Sequence, residues 1–326
     1  MVAAGCSGGD TESATPTTAA PASTTTTAPA TYPLSGRPVS DAASLGRPAL
    51  AVKIDNIAAA RPQAGLEAAD VIYEELAEGG LTRFVAVFHS TDAATLGPVR
   101  SVRPSDPDIV APLDPLFAYS GGAPAVVSLL AGSRLTNVGF DAASGAYQRR
   151  SDRRSPQNLY TTTANLYGLP AASRAPGPPP ALATFAKPGS PFTASGAVPV
   201  TGLALEAGPT VRAGYQYDAA STTWKRSTDA APHLLEGGSQ IAPTNVIVQY
   251  TPYTPFPADS KVSVAGAVGS GEAWIFSGGM AVKGTWTKAA PASVTTFTDG
   301  SGAPVSLLAG QTLIHLVSPG AATTIT

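Results

Sequence analysis

Two short apolar runs separated by two glycines stand out in the first half of the chain. Val71 to Glu78 and Leu81 to Phe88 are rich in β-branched and aromatic residues, and Gly79-Gly80 lies between them. That pattern predicts a β-hairpin, because both positions of a tight two-residue turn need positive φ. Pairing outward from the turn sets Glu78 opposite Leu81, Leu76 opposite Arg83 and Glu74 opposite Val85. Alternation then gathers Ile72, Glu74, Leu76, Glu78 and Arg83 on one face, with Tyr73, Glu75, Thr82 and Phe84 on the other. Arg83 would sit diagonal to both Glu74 and Glu78. A helix from Glu67 to Glu78 closed by Gly79 competes with this reading. Val-Ile-Tyr is a poor helix start, and a helix would leave Leu81 to Phe88 without a partner.

The same pattern predicts further elements. Ala49 to Ile54 reads as a buried strand ending in Asp55-Asn56, and Pro115 to Tyr119 as another ending in Ser120-Gly121-Gly122. Asp106 to Ala111 reads as one or two helical turns. Pro124 to Ala131 reads as a helix with proline in its first turn, and Thr161 to Tyr167 as a helix with a threonine cap. From Val198 onward the pattern is short alternating runs at a spacing near ten residues, without helical period. The fold class expected is α+β: layered sheets and helices in the N-terminal half, mainly antiparallel β in the C-terminal half. The expected divisions are a lipobox-like signal remnant (1–6), a disordered Thr/Ala/Pro-rich tether (7–36), an N-terminal α+β domain (37–175), a Pro/Ala-rich linker (176–197) and a C-terminal β-rich domain (198–326). The tether has nothing large to bury and cannot offset its ordering entropy.

Composition narrows the function classes. A formal charge of −2 over 326 residues gives no electrostatic case for nucleic acid. No run of 18 apolar residues is present, so no membrane-spanning helix is expected. Val2-Ala3-Ala4-Gly5-Cys6 looks like the end of a bacterial lipoprotein signal, in which small residues precede a cysteine that is lipidated after cleavage. The charged and apolar regions that precede such a box are missing, so the expectation is either a start upstream or a truncated signal. Cys6 is the sole cysteine, so no intramolecular disulfide forms. The localisation expected is extracytoplasmic: anchored to the plasma membrane through lipidated Cys6, or secreted.

Charge is concentrated. Residues 50–160 hold 22 of the 42 Asp, Glu, Lys and Arg residues in about a third of the chain, and nine of their ten basic residues are Arg. Arginine suits planar, bidentate contact with carboxylate or phosphate. Coding bias can explain Arg over Lys, but not the doubled charge density. No HExxH, GxSxG, CxxC, P-loop or dinucleotide-binding pattern occurs. His89, His233 and His315 are scattered without metal-ligand spacing and read as surface or packing residues; neither metal nor cofactor is expected. Cys6 lies outside the fold and serves no nucleophilic role. Asp106 and Asp108 flank Pro107 and read as loop surface, and the four arginines within Arg149 to Arg154 as a solvated basic loop.

Two kinds of chemistry remain. Asp55, Glu74, Glu75 and Glu78 could furnish a glycosidase pair, which needs two carboxyls about 5–9 Å apart. Glu74 and Glu78 lie four residues apart, roughly 13 Å on a strand, so the catalytic candidates are Asp55 and Glu74. Arg61, Arg83, Arg100 and Arg103 would together make an anion site, or each would pair with a nearby acid and clamp the fold.

Several motifs then resemble the YerB-like bacterial lipoprotein family: Val52 to Asn56, Ala60 to Leu66, Ala69 to Glu74, Glu78 to Phe84, Gly97 to Arg103, Gly121-Gly122 and Asn158 to Tyr160, with Asn245 to Val248 and Gly284 to Trp286 in the second half. The resemblance implies a two-part α+β architecture of unassigned function, exported and often lipid-anchored. The family tends to carry His where this chain has Ser120 and Gln157. Motifs and charge together make Asn56, Arg61, Gln63, Glu78, Arg83, Arg100, Ser101, Arg103, Asn158 and Tyr160 the candidate ligand-binding set. The expected partner is a cell-envelope polymer fragment or an envelope protein, with the membrane reached through a lipid anchor. The alternative is a cell-wall hydrolase using Asp55 and Glu74.

Overall fold

Both faces of the central strands are covered, which explains their composition. β1 (Leu50–Asp55) and β3 (Thr82–Phe88) are buried at every residue. Strands with two packed faces read as continuous apolar runs rather than alternating ones. With β2 (Val71–Leu76), β4 (Leu116–Ala118) and β5 (Thr136–Asn137) they form one end of an 11-stranded sheet. The computed structural model describes residues 1–9 and 30–326. Residues 10–29 of the expected tether lie outside the described residues. Ordered packing begins before residue 37, because Tyr32 and Leu34 are buried.

The sheet runs through both halves of the chain. From one edge its order is Thr296–Asp299, Met280–Lys288, Gly269–Ser277, Asn245–Tyr250, Thr312–Val317, β2, β3, β1, β4 and β5, and the eleventh strand, Val198–Pro199, pairs with Met280–Lys288 off this path. Thr312–Val317 is parallel to Asn245–Tyr250 on one side and to β2 on the other. The segment 176–197 therefore joins two halves that share a sheet. A second, antiparallel sheet of five strands, with Val211–Asp218 at its centre, belongs to the C-terminal half. Its Leu203, Leu205, Tyr215 and Trp224 share a core with Val52, Ile54, Ile72 and Phe84. The helices are short: α1 (Ala42–Leu45), α2 (Asp106–Val110), α3 (Pro124–Ala131) and α4 (Thr163–Tyr167). Ile109 of α2 and Val126 of α3 share the opposite core with Ala51, Val71, Val85 and Phe117.

The hairpin departs from expectation by one residue. Gly79 and Gly80 do have positive φ, 69° and 75°. The loop, however, is a 3-10 turn over Glu78–Gly80, closed by the Ala77 N–H donating to the Leu81 carbonyl at 2.7 Å. Leu76 pairs with Thr82, Glu75 with Arg83 and Glu74 with Phe84. A one-residue slip exchanges faces, so Arg83 shares its face with Glu75, and Glu74 points to the other.

Candidate functional site

β1 ends at Asp55, which pairs across the sheet with Arg83. Beyond the end of β4, a loop wedges in beside β1: the Arg100 N–H donates to the Lys53 carbonyl at 2.8 Å, and the Ser120 N–H donates to the Arg100 carbonyl at 2.9 Å. These bonds fix Arg100, Ser101 and Arg103 beside Arg83. Arg83 and Arg103 both donate to the Ser101 carbonyl, at 3.3 and 3.2 Å. Arg103 also donates to the Val102 carbonyl at 2.8 Å.

Two carboxylates neutralise this cluster in different ways. Asp55 is fully buried and takes an N–H from Asn56 at 3.0 Å and one from Gln157 Nε2 at 3.0 Å. Arg100 Nε lies 2.9 Å and Arg83 Nε 3.8 Å from its oxygens, as ion pairs rather than directed hydrogen bonds. Glu78 stands in the turn with its side chain 37% exposed. Its Oε2 accepts from Arg103 Nη2 at 2.6 Å and lies 3.8 Å from Arg83 Nη2. Burial raises the Glu78 carboxyl, but the Arg103 charge and hydrogen bond, with Arg83 behind them, bring it below its ordinary value. Burial, then the charge of Arg103, brings Arg83 down to about 10 against the pull of Asp55 and Glu78.

A cleft of about 370 Å³ opens at this cluster. One wall is Glu78, Ser101 and Arg103; the second is Ser120, Gly121, Gly122 and Ala123 at the start of α3, where no side chain caps the helix. Asp259 and Val262, from the Asp259–Ala265 strand, close the third side. A larger cavity, about 730 Å³, lies elsewhere, between Phe192, Tyr217, Met280 and Leu308. Lys187 is the only charged residue among those that line it, so it offers no convergent polar chemistry.

The structure thus brings Arg83, Arg100, Arg103, Glu78 and Ser101 together and separates the rest of the predicted set. Asp55 and Glu74 project from opposite faces of the sheet, so no acid/base pair forms between them. Glu74 is fully buried and accepts from Arg226 Nη1 at 2.8 Å, Thr82 at 2.7 Å and Asn56 at 3.0 Å, with His315 Nδ1 at 3.0 Å. Burial would raise its carboxyl; the Arg226 and His315 charges hold it far below the carboxylate range. Gln63 is buried as well: its amide donates to the Asp55 carbonyl and to Asn56, and His233 Nε2 lies 2.9 Å from its Oε1. Burial and the charges of Arg226 and Arg61 push His233 down to about 2. A neutral ring with hydrogen on Nε2 fits, donating to Gln63 while Nδ1 accepts from Arg226 and Thr228. Asn56, Gln63 and Glu74 therefore tie the two sheets together and face no solvent. Arg61 belongs to that side: it donates to the Asn56 carbonyl and lies 3.7 Å from Asp229.

Tyr160 is buried, its hydroxyl 3.3 Å from Glu236, and Asn158 accepts from Arg149. The basic loop is docked in part: Arg150 and Arg153 both bond Glu236, at 2.6 and 2.9 Å, while Arg149 and Arg154 are exposed as expected. Asp106 is not loop surface. With Glu75 it flanks Lys53, all three fully buried, and its Oδ2 accepts the Arg103 N–H at 2.6 Å. Burial and the Asp106 charge hold the Glu75 carboxyl well above its ordinary range, with Lys53 opposing. Sequence reasoning missed this triad, and Asp259. Gln157 and Ser120 were visible only as departures from the family pattern; both lie at the arginine cluster.

The chain is similar to known proteins over most of its length. The N-terminal domain of a protein family of unknown function, DUF3048, matches residues 34–175, and the C-terminal domain of that family matches residues 204–314. "Putative lipoprotein YerB" of Bacillus subtilis (strain 168) is 37% identical over 131 residues, a match spanning 40% of this chain and only 39% of that protein. The crystal structure of YerB protein from Bacillus subtilis superposes with a TM-score of 0.76 at 22% identity, over 90% of this chain and 99% of that one, a likeness of fold. With both domains matched in order, the chain belongs to the YerB-like DUF3048 family.

Proposed function

We infer that this is a cell-envelope lipoprotein, held at the membrane through Cys6, that binds an anionic envelope component in the cleft beside Arg83, Arg100 and Arg103. The anchor rests on the small residues before Cys6 and on a relative named as a lipoprotein. One observation carries the ligand class: Arg103 lines an open cleft, and Arg83 and Arg100 stand beside it, Arg83 sharing Glu78 with it and both Arg83 and Arg100 paired with the buried Asp55. Arginine is the residue suited to carboxylate and phosphate. The cleft lies about the Glu78–Gly80 turn and the start of α3, where ligand could enter without opening a core.

The test is retention of cell-wall fractions. Purified protein is compared with Arg100→Gln and Arg103→Gln, with melting curves to confirm that each variant is folded. Binding that falls at least tenfold in both supports the reading. Equal retention by folded variants removes it.

A further inference from the structure

The two carboxylates of the arginine cluster differ in a way that identifies the ligand. Asp55 is built in: buried, hydrogen-bonded by Asn56 and Gln157, and ion-paired with Arg83 and Arg100. Glu78 is not. It sits at the head of a turn with two positive-φ glycines and no side-chain cap, and its only ion-pair partners among the described residues are Arg103 and Arg83. Arg103 does not depend on Glu78 for its place, since its Nη1 donates to the Ser101 and Val102 carbonyls and its own N–H donates to Asp106. A Glu78 that swings outward leaves the guanidinium where it was.

Resting on the anion-binding reading above, we propose that Glu78 is an internal stand-in for the ligand, and that the ligand's group is a single carboxylate that displaces it from Arg103 and Arg83. Counting charges at the cleft decides between anions. The charged residues on the cleft walls are Arg103, Glu78 and Asp259, and Arg83 lies 3.8 Å from Glu78, so two positive groups meet two negative ones. The set is balanced as it stands. Release of Glu78 into water uncovers one positive charge. A monocarboxylate restores the balance in the planar geometry that a guanidinium pairs best. A phosphate dianion overshoots it and meets Asp259. Ser101, Ser120 and the uncapped first turn of α3 supply further polar groups on the same walls.

The experiment is calorimetric titration with N-acetyl-dialanine, its C-terminal amide and inorganic phosphate, on the full chain at low salt. Glu78→Gln keeps the shape of the side chain and removes its charge; Glu78→Ser is the second variant should the first melt early. Both should bind the free acid at least tenfold tighter than the unaltered protein, with no gain for the amide. Arg103→Gln should lose the acid in either background. Equal or weaker acid binding by both Glu78 variants overturns the stand-in, while loss in Arg103→Gln would still uphold the anion site. Saturable phosphate binding without acid binding overturns the carboxylate and leaves the anion site. Binding of neither anion by any form overturns both.

Discussion

Glu74 and Glu75 are adjacent in the chain, and each is buried among charges on its own face of the sheet. Glu74 meets Arg226 from the second sheet in a two-point ion pair, at 2.8 and 3.2 Å. Breaking a buried pair by removing one partner leaves an uncompensated charge, at a cost of about 3–5 kcal/mol. Arg226→Met should lower stability by that amount in urea titration, and Glu74→Met combined with it should recover most of the loss. Burial, together with the Asp106 charge and against that of Lys53, instead raises the Glu75 carboxyl. Its raised carboxyl fixes the sign: the native state keeps a proton that the unfolded chain has released, so stability falls as pH rises from the ordinary carboxylate range toward neutrality. Glu75→Gln should flatten that slope between about pH 5 and pH 7, as read from denaturation midpoints. The grouping of Arg83, Arg100 and Arg103 was legible because arginines concentrated among nearby acids must find carboxylate partners. Lys53, Glu75 and Asp106 were not, because a charge in an apolar run carries no sign of which distant partner buries it.

At the level of elements, local chemistry spoke clearly where it was sufficient. Pro124 starts α3 where a proline fits, and the Thr162 hydroxyl accepts the Asn165 N–H at the start of α4. Gly-Gly fixed the sign of φ in the hairpin but not the length of the loop, and one residue of error exchanged the environments of Glu74 and Glu75. The turn can be tested directly. A Cβ added at Gly79 would meet open space, so Gly79→Ala should cost only the left-handed backbone penalty of about 1–2 kcal/mol. Gly80→Ala should cost more, because its Cβ would come within 3.0 Å of Pro209 in the second half. Urea midpoints for the two variants check that order. Strand pairing was the least legible feature: nothing in Thr312–Val317 announces that it lies between β2 and Asn245–Tyr250.

For the whole molecule, that one strand has consequences. It supplies β2 with its neighbour, and His315 within it lies beside Glu74. A fragment of residues 30–197 would expose the β2 edge and bury Glu74 without Arg226, a condition that favours aggregation over folding. The complete chain should melt in one calorimetric transition, and the fragment should show none. Two independent transitions would contradict this coupling. The account as a whole stands on the arginine cleft, and guanidinium NMR tests it most directly. Soluble envelope digest is titrated into protein labelled at arginine nitrogen, and the Nε–H signals are followed. The account predicts saturable shifts at Arg83, Arg100 and Arg103 that fade with added salt. Unmoved signals at those three with digest in excess, or shifts confined to Arg149, Arg150 and Arg154, would contradict it.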